Sequence, residues 1–187
     1  WPWGTRRLPA GMLPAAAPSS DDLTQWRRQC AELLAEPSRF TNAMSLTVAA
    51  RDALVASGMR RVMILMADRT QSNLRVHQTV GLPKEAAALN FVVSQSKVLQ
   101  RLLAQQAQVR INPENNAQFS ALLPPGLRTL FRGEHLFLRS LVNNGRVIMI
   151  VVADQGGGPF ADITVQAFGK TAQCIEKALH SFSSRGR

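Results

Sequence analysis

The sequence predicts an α+β fold in which helices pack on a mostly antiparallel central sheet. One observation is the segment 135–154, where two apolar strands flank Asn143-Asn144-Gly145, because an Asn-Gly pair favours the type I′ turn of a β-hairpin. A second is that the strand after this turn is apolar at nearly every position, which is typical of a strand covered on both faces. The third is the amphipathic pattern at 161–182, which predicts a long helix packed on the sheet.

The first part of the chain predicts a linker and two helices. The opening residues are rich in proline and alanine and have no helical period. An N-cap signal at Ser20 opens a connecting helix, which Pro37 ends. The apolar spacing after Ser38 predicts a second helix that ends before Gly58. The predicted organisation is a linker (1–20), a connecting helix (21–37), a compact domain (38–182) and a basic tail (183–187).

Two short strands follow the second helix and predict an antiparallel pair. They are Arg61–Asp68 and Leu74–Val80, joined by a polar turn. Regular alternation in the second strand places Leu74, Val76 and Gln78 on one face and the residues between them on the other.

The rest of the middle region predicts a strand, a helix and a strand before an irregular stretch. These elements are Asn90–Ser94, Ser96–Gln106 and Gln108–Ile111. Residues 112–134 are interrupted by proline and glycine, so only weakly helical pieces at 114–122 and 126–131 are expected. Strands joined by tight turns, with helices between them, favour an antiparallel sheet with helices on its faces.

The chain is strongly basic, with 22 Lys and Arg against 12 Asp and Glu and a formal charge of +10. Such a charge permits binding to nucleic acid, acidic lipid or an acidic partner. The cations are spread along the chain, and no aromatic residues interleave them as in a platform that stacks nucleic-acid bases. Direct nucleic-acid binding is therefore not the favoured interpretation, and a basic surface for nucleic acid or an acidic partner stays an alternative.

The sequence also carries predictions about location. No apolar run approaches the roughly 20 residues that span a bilayer, so we expect a soluble, cytoplasmic protein without membrane contact. Cys30 and Cys174 lie in predicted helices without ligand-spaced partners, which favours reduced thiols over a disulfide framework or a zinc site. The chain begins with Trp1 rather than Met, so we expect an N-terminal domain in the full-length protein.

Three segments resemble the GAF domain. Residues 61–81 (RVMILMADRTQSNLRVHQTVG) are similar to its opening hairpin, and residues 91–111 (FVVSQSKVLQRLLAQQAQVRI) to the strand, helix and strand across its ligand cavity. Residues 140–179 resemble its closing hairpin and helix, with Phe160 and Asp162 at the helix entry. The proline-rich start and the basic, glutamine-rich style also resemble the GAF-like region that follows an HDOD domain in some bacterial signalling proteins.

The resemblance implies a sensory or scaffold fold without naming a ligand or cofactor. The Asn-Lys-x-Phe-Asp-Glu type motif of cyclic-nucleotide-binding members is absent. Bilin-binding and methionine-sulfoxide-reducing members need cysteines at the cavity, whereas Cys30 precedes the domain and Cys174 lies on its last helix. No Gly-x-Ser-x-Gly elbow and no usefully spaced carboxylate pair is present, so we predict that the chain is not an enzyme.

Four residues are candidates for a ligand pocket. We hypothesise that Arg139, His77 and Arg75 line a site for a small anion, since a buried guanidinium needs an anionic or carbonyl partner, and Phe91 is an apolar candidate for the same pocket. The histidines are not spaced as metal ligands, so no metal site is predicted.

The favoured interpretation is a regulatory or sensory domain in bacterial signal transduction. It would bind a small ligand or mediate homodimerisation by repositioning the helices at 22–36 and 161–182, whose apolar stripes could pair between two copies. The alternative is a pure dimerisation scaffold whose pocket is filled by its own side chains.

Overall fold

The structure is a computed structural model that describes residues 20–35 and 42–185. These residues form six α-helices and six β-strands, with short 3₁₀ turns at Lys84–Ala88 and Val93–Gln95. The helices are α1 (Ser20–Ala35), α2 (Ala43–Ala56), α3 (Lys97–Ala104), α4 (Asn116–Ser120), α5 (Pro125–Leu130) and α6 (Asp162–Arg185). The strands are β1 (Arg61–Ala67), β2 (Asn73–Val80), β3 (Asn90–Val92), β4 (Gln108–Ile111), β5 (Leu136–Asn143) and β6 (Arg146–Asp154).

The described strands form one sheet in the order β3-β2-β1-β6-β5-β4. All five neighbouring pairs are antiparallel, which confirms the predicted α+β class with an antiparallel sheet. The sequence-adjacent hairpins β1–β2 and β5–β6 meet through the pairing of β1 with β6 at the centre. Short strands β3 and β4 form the two edges, a common way to limit the exposed backbone of an edge strand.

The closing hairpin forms as the sequence predicts. Asn144 and Gly145 have φ values of +55° and +76°, the left-handed backbone that a type I′ turn requires at both central positions. β6 is buried without interruption from Met149 to Asp154, so its apolar run is indeed covered on both faces.

Each face of the sheet supports its own apolar core. On the surface beneath α3, here the α3 face, Leu65, Leu138 and Val152 pack with the buried residues of α3. On the opposite surface, here the α6 face, Ile64 and Val151 pack with α1, α2 and α6. Neighbouring residues of a strand therefore enter different cores, and the central strands hold the two cores together.

Several predicted boundaries differ from the structure. The predicted helix stop at Pro37 and start at Ser38 lie outside the described residues. The described part of α2 begins after Asn42, whose backbone is extended (φ −156°). Asn42 and Ser45 form a capping box that satisfies the first free N–H groups of α2. At the other end, α6 continues to Arg185, so the predicted tail at 183–187 is helical through that residue.

The predicted alternation in β2 is wrong beyond Val76. Val76 pairs with Leu65 and Gln78 pairs with Ile64, so the register shifts and His77 is the extra residue of a β-bulge. Leu74 and Val76 face the α3 core, whereas the Gln78 side chain accepts a hydrogen bond from Arg51 of α2 on the α6 face. The bulge therefore separates residues that simple alternation puts together.

Candidate functional site

The bulge brings two of the predicted site residues to one open concavity. Arg75 and His77 line a cavity of about 490 Å³, together with Met66, Asp68 and Asn90; we call it the β2 concavity. The His77 ring is partly buried, and its buried Nδ1 has no hydrogen-bond partner in the described part of the chain. Burial, and then the positive charge of Arg75, lower the pKa of His77, so this ring is neutral at pH 7.

The same concavity contains a carboxylate that opposes anion binding. The backbone N–H of Ser72, the hydroxyl of Thr70 and the side-chain amide of Asn73 donate to Asp68. Partial desolvation raises the pKa of Asp68, but these hydrogen bonds outweigh it and lower the pKa overall. The β2 concavity therefore places the negative charge of Asp68 beside the cation of Arg75 and a neutral histidine, so an anion bound there would also meet a carboxylate.

The other two predicted residues lie elsewhere. Arg139 is on β5, where its Nη1 donates to Oε1 of Gln108 at 2.9 Å on the neighbouring strand β4. Three strand spacings separate β5 from β2, or about 14 Å. Phe91 pairs with Leu74 and is buried in the opposite, α3-side core. One pocket lined by Arg139, His77, Arg75 and Phe91 is therefore not formed, because the four residues divide between two faces and distant strands.

A second cavity is lined by residues that sequence reasoning did not combine. It measures about 310 Å³, lies between α3, β4 and α4, and is here called the α3 groove. Its walls are Lys97, Val98, Arg101, Val109, Phe119 and Leu122. The helical stripe of α3 is visible in the sequence, but Phe119 and Leu122 come from the irregular region and reach α3 only through the tertiary fold.

Local hydrogen bonds fix the position of α3 beside this groove. Ser96 caps the helix by accepting from the N–H of Leu99, as its position in the sequence predicts. The same hydroxyl donates to the carbonyl of Leu122 at 3.0 Å, which ties the irregular segment to the start of α3. Lys97 and Arg101 are exposed one turn apart, and within the described residues neither forms an ion pair.

A third cluster joins the two long terminal helices. Nε1 of Trp26 on α1 donates to Oγ1 of Thr171 on α6 at 2.7 Å, and Sγ of Cys30 lies 4.0 Å from the same oxygen. Cys174 follows one turn after Thr171, and both cysteines are half-buried free thiols. Sequence reasoning treated these cysteines as separate, since they are far apart along the chain.

Hydrogen bonds anchor the glycine-rich turn after β6. Asp154 is fully buried and accepts three hydrogen bonds from Arg61, as well as one from the N–H of Gly156. The Gln155 side chain donates to the carbonyl of Gly58 and accepts from the N–H of Ala161, and so holds the turn against the start of α6. With its oxygens occupied in this way, Asp154 is a structural group.

Neither a metal-binding group nor a membrane-spanning helix is found among the described residues. Within 20–35 and 42–185, His, Cys, Asp and Glu do not gather in a group of three that could hold a metal ion. In the same ranges, we find no helix with the length and apolar character needed to cross a membrane.

Comparison with known proteins identifies the fold. No protein-family model matches the sequence, and no curated protein matches it at a significant level. Among solved structures, the GAF domain of an Acinetobacter phosphoenolpyruvate-protein phosphotransferase matches with a TM-score of 0.61 at 15% identity, over 90% of this chain and 98% of that one. The phycoerythrobilin-bound GAF domain of a cyanobacterial phytochrome matches with a TM-score of 0.65 at 11% identity, over 90% of this chain and 100% of that one.

This chain has a GAF fold. The same architecture is matched by a free methionine-R-sulfoxide reductase from Neisseria meningitidis in complex with its substrate, with a TM-score of 0.61 at 16% identity, over 93% of this chain and 98% of that one. The GAF fold thus hosts both ligand-bound domains and an enzyme, so function has to be argued from the residues present here.

Proposed function

We propose that this GAF fold is a non-catalytic regulatory domain of a signalling protein, and that it binds a small amphipathic anion in the α3 groove. The observation that carries the proposal is an apolar groove bordered by two cations that have no ion pair among the described residues. Val109, Phe119 and Leu122 would contact the apolar part of the ligand, and Lys97 and Arg101 would pair with its anionic group.

The size and chemistry of the groove agree with this occupant. A volume of about 310 Å³ is at the lower end of small-molecule pockets, which are mainly apolar with a few placed polar groups. Ammonium and guanidinium groups one helical turn apart can both reach one carboxylate, sulfonate or phosphate. The β2 concavity, with the carboxylate of Asp68 in its wall, is the less suitable of the two cavities for an anion.

Binding at the groove has a direct route to the terminal helix. α3 packs on β5 and β6 from one side of the sheet, and α6 packs on β5 from the other side. A ligand that draws α3 toward α4 would therefore act on strands that also carry α6. It can change the position of α6 only to the extent that it binds the two arrangements with different affinity.

The similar proteins support a regulatory role. One is the GAF domain of a phosphoenolpyruvate-protein phosphotransferase, and another is a phycoerythrobilin-bound GAF domain of a phytochrome. The matched sulfoxide reductase is an enzyme, but in this chain the half-buried thiols lie between α1 and α6, on the side of the sheet away from the α3 groove. That separation is the reason for proposing a domain without catalysis.

The test uses anilinonaphthalene sulfonate, an apolar anion whose fluorescence reports binding. We expect stoichiometric binding to the wild-type protein and a loss of affinity of about tenfold or more in a Lys97→Ala/Arg101→Ala variant, since one charge-assisted contact is worth about 1.5 kcal/mol or more. A Lys84→Ala/Lys177→Ala variant removes the same charge from exposed positions outside the groove and should bind as the wild type does.

Two outcomes would contradict the groove proposal. Equal loss of affinity in both double variants would mean that the probe responds to overall charge. Loss of affinity on Arg75→Ala alone would move the site to the β2 concavity. Native mass spectrometry of the purified protein, followed by denaturing release, then identifies any molecule that copurifies.

Homodimerisation is a second candidate function, favoured by two exposed apolar side chains. Leu34 at the end of α1 is 46% exposed and Met44 at the start of α2 is 51% exposed. Large apolar side chains at such positions are candidates for burial between two copies. Light scattering should give a dimer for the wild type and a monomer for Leu34→Glu/Met44→Glu, whereas a monomeric wild type rejects this function.

The wider context stays a prediction from the sequence. We propose a bacterial, cytoplasmic signalling protein with a further N-terminal domain, of which an HDOD domain is the named candidate. Sequencing of the full-length gene decides the domain order.

A further inference from the structure

The pattern of contacts between α1 and α6 places two thiols opposite each other. Trp26 and Cys30 are four residues apart and share one stripe of α1, and both contact Thr171 of α6. Cys174 lies one turn further along α6, on the same stripe as Thr171. Cys30 therefore lies beside the turn of α6 that contains Thr171 and Cys174.

The pKa of Cys30 also depends on its neighbour Cys174. Burial and then the charge of Cys174 raise the pKa of Cys30 to about 11, while a hydrogen bond between Cys30 and Thr171 acts in the opposite direction. Cys30 is therefore a protonated thiol at neutral pH.

We propose that Cys30 and Cys174 form a reversible intramolecular disulfide that fixes α1 on α6. The oxidant is a low-molecular-weight disulfide of the glutathione class. This inference is independent of the ligand proposed for the α3 groove.

The exchange balances in two steps. In the first, Cys174 loses its proton and its thiolate attacks one sulfur of the small disulfide, which forms a mixed disulfide and releases one small thiolate that takes up a proton. In the second, the thiolate of Cys30 attacks the Cys174 sulfur and releases the second small thiol. Two protein thiols are oxidised and one small disulfide is reduced to two thiols.

The first step prepares the second. Once Cys174 is in a mixed disulfide it can no longer carry a negative charge, so its repulsion of a Cys30 thiolate disappears. Cys30 then loses its proton more readily, which makes it the resolving thiol.

A cross-link at this place would restrain the first described helix. α1 is held on the domain by Leu33, which is buried in the α6-side core, and by the bond from Trp26 to Thr171. A covalent bond one turn from Thr171 would keep α1 docked even where these contacts open. The redox state would then control whether α1 can move away from α6.

The experiment incubates the whole chain, folded, in buffers with increasing ratios of oxidised to reduced glutathione. Free thiols are then trapped by alkylation, and intact mass and peptide mapping are measured. We expect a species that has lost two hydrogens, a peptide pair linking Cys30 to Cys174, and return of both thiols on reduction. Cys30→Ser and Cys174→Ser should each yield only a glutathione adduct or an unmodified monomer.

A second readout tests the restraint itself. Hydrogen exchange of the α1 amides should slow in the oxidised protein, and the Cys30→Ser variant should show no such change under the same buffers. Circular dichroism of both variants verifies that they are folded. Separate glutathione adducts on both cysteines, disulfides only between chains, or a linked pair with unchanged α1 exchange would each overturn the proposal.

Discussion

At the scale of single residues, Asp154 forms a salt bridge with Arg61 while its own side chain is fully buried. Its carboxylate is 0% exposed and pairs with Arg61, whose guanidinium also lies over the ring of Phe131. Arg51 and Asp52 form a comparable pair at the surface, with both side chains partly exposed. The chain thus offers a buried ion pair and an exposed one for direct comparison.

Asp154→Asn should destabilise the protein by about 3 kcal/mol, because it leaves a partly buried guanidinium without its counter-charge. Asp52→Asn is the matched control and should cost less than about 1 kcal/mol, since water screens the exposed pair. Urea unfolding measures both changes. Similar losses in the two variants would show that burial of Asp154 does not strengthen its pairing.

Two histidines give the stability a dependence on pH. Burial and then Arg75 lower the pKa of His77; for His135, burial lowers the pKa, Glu134 raises it and Arg110 lowers it, with a net decrease. Below the unfolded-state pKa of about 6.5 the unfolded chain binds more protons than the folded one, so stability is complete above that pH and is lost as pH falls through the folded pKa.

His77→Gln should flatten part of this dependence. We expect the free energy of unfolding of the wild type to decrease from pH 7.5 to 5.5, because the unfolded-state pKa of about 6.5 lies within that range. A wild-type free energy that is constant over this range would contradict the prediction.

The candidate site residues show what cannot be predicted from the sequence at the scale of single residues. Assigning Phe91, Arg75 and Arg139 to one pocket requires knowing which face of which strand each occupies. The single extra residue at His77 reverses the face of every later residue in β2. Nothing in the local sequence marks that bulge, because it satisfies the packing of β2 against β1 and α2 rather than a turn.

At the scale of elements, the parts with local signals were predictable. The Asn-Gly turn, the Ser96 cap and the apolar stripe of α3 depend on neighbouring residues alone, and all three form. The α3 groove could not be derived in the same way, because Phe119 reaches α3 through the path of an irregular segment. The described start of α2 also has a local signal, the capping box of Asn42 and Ser45.

The loop after α5 and the turn after β6 contact each other through two glycines. Gly133 follows α5 and Gly157 lies in the turn after β6, and a Cβ added at Gly133 would meet the backbone of Gly157. His135 then donates its backbone N–H to the carbonyl of Gly157 at 3.2 Å, so the two loops are joined at that place. Because backbone atoms on both sides make the contact, no flexible side chain can relieve it.

Gly133→Ala should therefore destabilise the protein by more than about 2 kcal/mol, the cost typical of overpacking. Gly145→Ala is the control, since its Cβ would meet nothing within 4 Å and only the positive φ opposes it. That strain costs about 1 kcal/mol. Thermal and urea unfolding of both variants show which substitution lowers the free energy of unfolding more. A larger decrease for Gly145→Ala than for Gly133→Ala would show that the two loops separate at little cost.

At the scale of the whole molecule, one sheet serves two cores. The buried neighbours Ile64 and Leu65 on β1 point into the α6-side and α3-side cores respectively, and both are 0% exposed. Since the same hydrogen-bonded strands carry both sets of contacts, damage on either side should lower the stability of the entire domain.

Leu65→Ala and Ile64→Ala test this coupling. Each should cost about 3 kcal/mol, as expected for a large-to-small change in a packed core. Trp26 reports on the α6 side through its bond to Thr171, provided that Trp1 and Trp3 are replaced by Phe. Far-UV circular dichroism reports on all elements, so the two probes should give the same urea midpoint in both variants.

If Leu65→Ala lowered the dichroism midpoint and left the Trp26 transition unchanged, the α3 side would unfold separately. A ligand in the α3 groove would then have no cooperative route to α6, because the strands between them would not transmit a change in packing.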